Sequence, residues 1–419
     1  MFKYPLILDG AMGTMLMKAG MPTGVCPEEW ILSADENINK TVDIQKQYIE
    51  AGSDAIYAPT FGANKGALAK YSLESKASLI NGALAEISVN AREQSKKDVF
   101  IGGDISPTGC FMQPYGDKTF DDIFAIYKEQ AQTLNDYVDF FVIETQISLA
   151  EARAAVLAVK SISDKPIFVT VTVENENKTL SGDDIVACML CVYSLGAKAF
   201  GLNCSRGPKE MSKAFSTLMK FKPKDLELIA KPNAGMPKEE CGHQVFDLTA
   251  EEFADEMLVL YRMGVRILGG CCGTTPEYIK ALKEKINKDD SFFAAFDSFD
   301  DMNTSVFSEY LVCTNKTVFY IKDTDSITKR FKCDEFLYEN IENAEEKVIS
   351  IELNKYDDFM YLNDALMFVD KPVMFYSEDF ELLEKALKEY VGRPIVSKES
   401  KLSNEQIISI KKNYSPIFL

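Results

Sequence analysis

Histidine is nearly absent from this chain of 419 residues; His243 is the only one. A Ser-His-Asp triad, or a metal site built on paired imidazoles, therefore has almost no material. Positive charge is also in deficit, with 46 Lys and Arg against 64 Asp and Glu and a formal net charge of −18. Such a field repels phosphate backbones and anionic lipid surfaces, so no nucleic acid and no membrane is expected as a partner. No apolar run reaches the ~20 residues of a membrane span. The opening Met1-Phe2-Lys3-Tyr4-Pro5 lacks the apolar stretch and cleavage site of a secretory signal. A cytoplasmic protein acting on a small molecule is the default expectation.

Hydrophobic residues make up 46% of the chain, enough for a sizeable core, and the length suits one large domain plus a smaller one. The 10 cysteines are not expected as disulfides in a reducing compartment. With one histidine, any transition-metal site must rest mainly on thiolates.

Residues 1–288 repeat a rhythm of short apolar run, loop and amphipathic stretch. The runs are Leu6-Ile7-Leu8, Ala55 to Ala58, Val99 to Gly102, Phe140 to Ile143, Ile167 to Val171, Lys198 to Leu202, Leu226 to Ala230 and Val265 to Leu268. Eight β/α units in this length predict a (β/α)8 TIM barrel, although pattern alone also permits a doubly wound open sheet. Each run ends in small or polar residues, such as Asp9-Gly10-Ala11-Met12-Gly13-Thr14, Gly103-Asp104-Ile105-Ser106, Glu144-Thr145 and Asn203-Cys204-Ser205. In a barrel these ends converge on one rim. Residues 289–309 read as a linker. Residues 310–419 read as a smaller α/β segment, with strands at Val318 to Ile321, Val348 to Ile351, Leu366 to Val369, Val373 to Phe375 and Ile395-Val396, and a helix over Leu382 to Tyr390.

Cys204 follows the sixth run, and Cys271-Cys272 follows the eighth. Vicinal cysteines do not readily close a disulfide, but both can face one cation if Gly269, Gly270 and Gly273 let the backbone turn. Three thiolates leave a tetrahedral zinc one open position, as catalytic zinc sites do. Spacing alone leaves open that the three are unrelated buried cysteines. Cys188-x-x-Cys191 lies in an apolar helical stretch and reads as core. Cys26, Cys110, Cys241, Cys313 and Cys333 have no evident partners, and His243 reads as a solvated loop residue near the rim.

Asp9-Gly10-Ala11-Met12-Gly13-Thr14, Gly201-Leu202-Asn203-Cys204-Ser205 and Gly269-Gly270-Cys271-Cys272-Gly273-Thr274 resemble the signature blocks of the homocysteine S-methyltransferase family. Ala58-Pro59-Thr60-Phe61, Gly103 to Gly109, Ile143-Glu144-Thr145 and Pro232 to Pro237 add matches in the same order. Within the family the likeness is greatest to the homocysteine-binding module of cobalamin-dependent methionine synthases. The resemblance implies that Cys204, Cys271 and Cys272 bind Zn2+ and that the homocysteine sulfur takes the fourth position, its thiol pKa lowered by the metal. No side chain beyond that activated thiolate is implied as catalytic. Asp9 and Glu144 would hold the substrate ammonium, and backbone N–H groups from Gly10 to Gly13 its carboxylate. Asn203 joins the substrate-site residues, mainly as the group that orients the loop of Cys204.

Residues ~310–400 faintly resemble the start of the folate-binding barrel that follows this module. Tyr376-Ser377-Glu378 and Ser397 stand where that pattern has pterin-binding Asp and Asn groups. A degenerate, truncated segment without folate binding is expected, its sheet edges covered by the first barrel or a second chain. No cobalamin-binding signature surrounds His243. The methyl donor would then be methylcobalamin on a separate protein or a small sulfonium or ammonium compound, with a corrinoid protein or a folate-binding protein as the expected partner. Methyl transfer to a different thiol or a selenol, or a silent zinc-binding scaffold, are the competing readings.

Overall fold

In a computed structural model of the chain, residues 2–173, 177–204, 206–240, 243–289, 311–321 and 329–419 are described, with only the backbone for 237–240 and 243–244. Two compact units emerge. One comprises Met1–Leu180 with Ala197–Asp301, the other Ser181–Gly196 with Met302–Leu419. Of the expected linker over 289–309, all but Asp289 lies outside the described residues.

The first unit is built on an eight-stranded parallel sheet. Its strands are β1 (Leu6–Ile7), β2 (Ala55–Tyr57), β3 (Phe100–Ile105), β4 (Phe140–Gln146), β5 (Ile167–Val171), β6 (Ala199–Asn203), β7 (Glu227–Lys231) and, after an antiparallel hairpin of β8 (Pro237–Glu240) and β9 (His243–Phe246), β10 (Ile267–Leu268). The order β1-β10-β7-β6-β5-β4-β3-β2 is that of a (β/α)8 barrel. The edge strands β1 and β2 face each other across a seam. Asp54 N–H donates to Ile7 O at 2.6 Å, Ile7 N–H donates to the Asp54 carboxylate at 2.9 Å, and Tyr57 N–H donates to Asp9 Oδ2 at 2.8 Å.

These strands are short because the barrel interior needs only a few inward layers. Leu6, Leu8, Ala55, Tyr57, Phe140, Val142, Phe168, Ala199, Ile229 and Ile267 fill it. The Phe2 ring packs on Phe100, Phe140 and Phe168, with centroids 4.7, 5.4 and 5.3 Å away. Full burial of a phenylalanine contributes roughly 1.5–3 kcal/mol, and the partly buried Phe2 supplies a share of that. Two of the amphipathic stretches between the runs form helices Phe120–Leu134 and Leu149–Lys160. Thr119 and Asp122 form a reciprocal capping box at the start of the first.

In the second unit, β13 (Arg330–Lys332), β14 (Ile349–Glu352), β15 (Val373–Tyr376), β17 (Ile395–Val396) and β18 (Ile417–Phe418) form a parallel sheet in that order. β11 (Leu311–Thr314), β12 (Val318–Tyr320) and β16 (Gly392–Arg393) form a small antiparallel sheet. Helix Ile185–Ser194, which lies between β5 and β6 in sequence, belongs to this unit. Its Cys191 Sγ lies 3.4 Å from Gly392 O, and Cys313 Sγ lies 3.7 Å from Ala187 O. The strand expected over Leu366 to Val369 is not formed. Leu366 ends helix Asp358–Leu366, which buries Phe359, Leu362 and Ala365 at helical spacing, and Phe368 is 60% exposed.

Among the described residues no helix is long and apolar enough to cross a membrane.

Candidate active site at the barrel rim

Cys204 sits one residue beyond β6 in a left-handed conformation, φ +60°. A non-glycine residue held there is costly and needs a frame. Asn203, fully buried, supplies part of it. Its Oδ1 accepts from Thr145 N–H and from the Thr170 hydroxyl, both at 2.9 Å, and its Nδ2 donates to Thr145 Oγ1 at 2.7 Å. Thr145 is itself left-handed, φ +58°. One amide thus locks the ends of β4, β5 and β6 together. Among the contacts seen, Asn203 orients loops.

Cys271 and Cys272 lie beyond β10. Their loop is pinned by Cys271 N–H to Pro232 O (2.7 Å), Ala234 N–H to Cys272 O (2.9 Å) and the Thr274 hydroxyl to Cys271 O (2.6 Å). The three glycines have different reasons. Gly273 has φ +84° and needs its freedom, while Gly269 and Gly270 are not left-handed. A Cβ on Gly270 would stand 2.3 Å from Thr274 Oγ1. There glycine serves close approach.

The three sulfurs lie within 4.8 Å of one another. Cys204 to Cys272 is 3.9 Å and Cys271 to Cys272 is 4.0 Å. Tetrahedral Zn–S bonds of ~2.3 Å separate sulfurs by ~3.8 Å, so the cluster matches the span of such an ion. The contact with Cys204 pushes the Cys272 thiol up to about 12, with burial adding to it and the contact with Cys271 opposing. None of the three is in a disulfide.

Beside the sulfurs is a buried charged group. Asp9, Asp104, Glu144 and Lys231 are 2–7% exposed. Lys231 Nζ lies 3.2 Å from Asp9 Oδ1, 3.8 Å from Glu144 Oε2 and 3.6 Å from the Tyr57 ring centroid. Burial alone would lower the Lys231 pKa, but Tyr57, Asp9 and Glu144 raise it well above the ordinary value, so it stays cationic. Burial pushes Asp9 up, while Lys231 and Tyr57 N–H pull against it. Burial also pushes Glu144 up against the pull of Lys231. Backbone bonds tie this group to the cysteines. Cys204 N–H donates to Lys231 O at 3.1 Å, and Gly270 N–H to Asp9 O at 3.0 Å.

The expected cysteines, Asp9, Glu144 and Asn203 thus share one rim. Gly10 lies against Thr274 and Tyr48. Ala11 N–H is engaged by Thr274 O, and helix Met12–Lys18 starts with no side-chain cap from Ala11. Its first-turn N–H groups have no acceptor within the helix. Cys188 and Cys191 are core residues, and Cys241 and the His243 side chain lie outside the described residues. Sequence reasoning did not single out Lys231 or Asp104. Both stand at strand ends, as Asp9 and Glu144 do, and that shared position was the available signal.

Residues 6–286 match the homocysteine S-methyltransferase family along the whole barrel.

The chain belongs to the homocysteine S-methyltransferase family.

Solved structures similar to it include the homocysteine methyltransferase MmuM from Escherichia coli. The oxidized form is 21% identical with a TM-score of 0.56, the alignment covering 67% of this chain and 95% of that one. The metallated form is 21% identical with a TM-score of 0.54, covering 67% and 96%. At that identity the likeness is one of fold. It spans nearly all of the neighbour and two-thirds of this family member.

Proposed function

We propose that this enzyme transfers a methyl group to the sulfur of homocysteine, giving methionine, with Zn2+ held by Cys204, Cys271 and Cys272. One observation carries the reading: three cysteine sulfurs within 4.8 Å of one another, beside a buried acid group suited to an ammonium ion. Family membership and the metallated state of the similar MmuM structure support it. When bound, the zinc supplies Lewis acidity that favours the acceptor's thiolate at neutral pH. The chain's own residues do the remaining work. Asp9 and Glu144 draw the ammonium end, the uncapped N–H groups beside Gly10 suit the carboxylate, and Asn203 keeps Cys204 in place. Fixing both ends of the acceptor orients its sulfur toward the donor.

The donor in this reading is methylcobalamin carried by a separate corrinoid protein, or a small sulfonium or ammonium compound. We read 1–288 as the catalytic barrel and 310–419 as a folate-domain-like segment that does not bind folate. The serines standing at its pterin-pattern positions support that. Ser377 Oγ donates to Leu353 O at 2.8 Å and accepts from Asp379 N–H at 3.1 Å, while Ser397 Oγ accepts from Glu399 N–H at 3.3 Å.

The test is a metal assay joined to a donor screen. The purified chain is expected to hold one zinc per molecule and Cys272→Ala to lose it. With homocysteine as acceptor, methylcobalamin, S-methylmethionine and betaine are compared, and at least one should yield methionine. A zinc-loaded chain that binds homocysteine but is inert with every donor would favour the scaffold reading.

A further inference from the structure

The acid group at the rim holds one member with no assigned role. Asp104, at the penultimate position of β3, is 5% exposed, and Glu144 on the adjacent β4 is 7% exposed. The two carboxyl groups lie close enough for each to shift the other's proton affinity. Each has a buried oxygen without a hydrogen-bond partner, Asp104 Oδ1 and Glu144 Oε2, the latter 3.8 Å from Lys231 Nζ. Asp9 differs, since Tyr57 N–H and Lys231 engage its two oxygens. Buried carboxyl oxygens without a hydrogen bond are costly, so two of them on adjacent strand ends call for a donor.

The charge count points the same way. Two ionised carboxylates, Asp9 and Glu144, against one Lys231 leave a single negative charge, which one ammonium group balances. A third ionised acid would leave an excess that a buried site does not tolerate. Burial first, and then the charge of Glu144, push Asp104 well above the ordinary carboxylate range, with Lys231 opposing.

We propose that Asp104 is a third member of the acceptor's amine subsite. It donates a hydrogen bond to Glu144, and its Oδ1 receives, together with Glu144 Oε2, the ammonium group of an α-amino thiol. This rests on the reading of homocysteine as acceptor.

The test compares homocysteine with 4-mercaptobutyrate, which has the same thiol and carboxylate but no amino group. Binding of each to the zinc-loaded full chain is measured calorimetrically for wild type, Asp104→Asn and Asp104→Ala. Wild type should prefer homocysteine by at least about 10-fold, because a site with buried polar groups rejects the analogue that leaves them unpaired. Asp104→Asn offers a donor and an acceptor in the same places and should keep that preference within about 3-fold. Asp104→Ala should cut the preference by at least about 3-fold, Asp9 and Glu144 keeping the remainder, while leaving 4-mercaptobutyrate binding within about 3-fold of wild type.

Equal losses for both thiols in Asp104→Ala would overturn the proposal in favour of a merely structural role. Loss of the preference in Asp104→Asn would overturn the donor role, and that isosteric variant keeps the test decisive if Asp104→Ala does not fold. Wild type that binds both thiols equally would remove the subsite and leave thiol methylation standing. Wild type that binds neither would remove the acceptor reading and the subsite together.

Discussion

Lys231 is the residue whose loss the structure makes easiest to weigh. Replacing it by methionine keeps the length and removes the only cation paired with Asp9 and Glu144 among the described residues. At an effective dielectric constant of about 20, charges separated by the observed 3.2 and 3.8 Å attract by ~5 and ~4 kcal/mol. Bringing the ammonium out of water offsets much of that sum, and breaking one side of a buried pair costs about 3–5 kcal/mol net. The ammonium over the Tyr57 ring adds about 1–2 kcal/mol. A loss of ~3–5 kcal/mol near neutral pH is expected.

The loss should shrink in acid. Without Lys231 the Asp9 and Glu144 pKa values rise further above their unfolded values. The folded variant then holds protons that the unfolded chain has already released, so its stability falls as pH rises above the ordinary carboxylate range. Urea unfolding followed by Trp30 reads the first unit alone, because the chain has one tryptophan and it lies in helix Pro27–Leu32. The deficit at about pH 7.5 should exceed that at about pH 5.5 by more than ~1 kcal/mol. A Lys231→Met variant within ~1 kcal/mol of wild type at both, with the same denaturant slope, would refute the assignment of a charged, load-carrying lysine at this position.

Three further outcomes are expected. Asn203→Ala strands the Thr145 N–H and the Thr170 hydroxyl in a buried site, so it should cost roughly 2–5 kcal/mol in the same unfolding assay and weaken zinc binding by about 10–100-fold in a chelator competition. Gly270→Ala places a Cβ 2.3 Å from Thr274 Oγ1. Thr274 and the Cys271 carbonyl it holds must shift, and zinc retention through gel filtration should fall while Cys26 and the other distant thiols keep their reactivity. Asp104 is held well above its ordinary value, so the folded chain keeps a proton the unfolded chain loses above about pH 4. Its stabilising contribution is complete below that pH and declines as pH rises toward the folded value, by up to ~1.4 kcal/mol per pH unit. Asp104→Asn should flatten that slope by one proton, and an unchanged slope would mean that Asp104 ionises normally.

The barrel was legible because each of its eight short apolar runs ends in small or polar residues, and that punctuation survives without side-chain detail. The three cysteines were legible as strand-end residues from two different loops, although only the family likeness separated a metal cluster from packed thiols. Lys231 and Asp104 were not legible. Their meaning depends on which charges face them, and period and propensity carry no such information.

Helix Ile185–Ser194 shows a different limit. Ile185 through Val192 are all buried, and a helix apolar on every side must be covered on every side. The sequence announced the burial without naming the partner. Leu366 to Val369 failed for a related reason. Four apolar residues fit a short strand as well as a helix end, and only the packing of Phe359, Leu362 and Ala365 decides between them.

Asp9 connects closure of the barrel to the chemistry at its rim. Its Oδ2 accepts from Tyr57 across the β1–β2 seam, its Oδ1 meets Lys231 at the end of β7, and its carbonyl accepts from Gly270 beside the cysteine pair. Lys231 in turn accepts the N–H of Cys204 on its own carbonyl. Any slip of the seam would therefore move the acid group and both sulfur-bearing loops together. A site whose reacting atoms must be held to within about half an ångström gains from such shared support, because the free energy that closes the barrel also fixes the distance between sulfur cluster and ammonium site. On the proposed reading the strand-end aspartate would be more than a contact for the substrate ammonium. It would be the point at which the fold's own closure sets the length of the acceptor that fits.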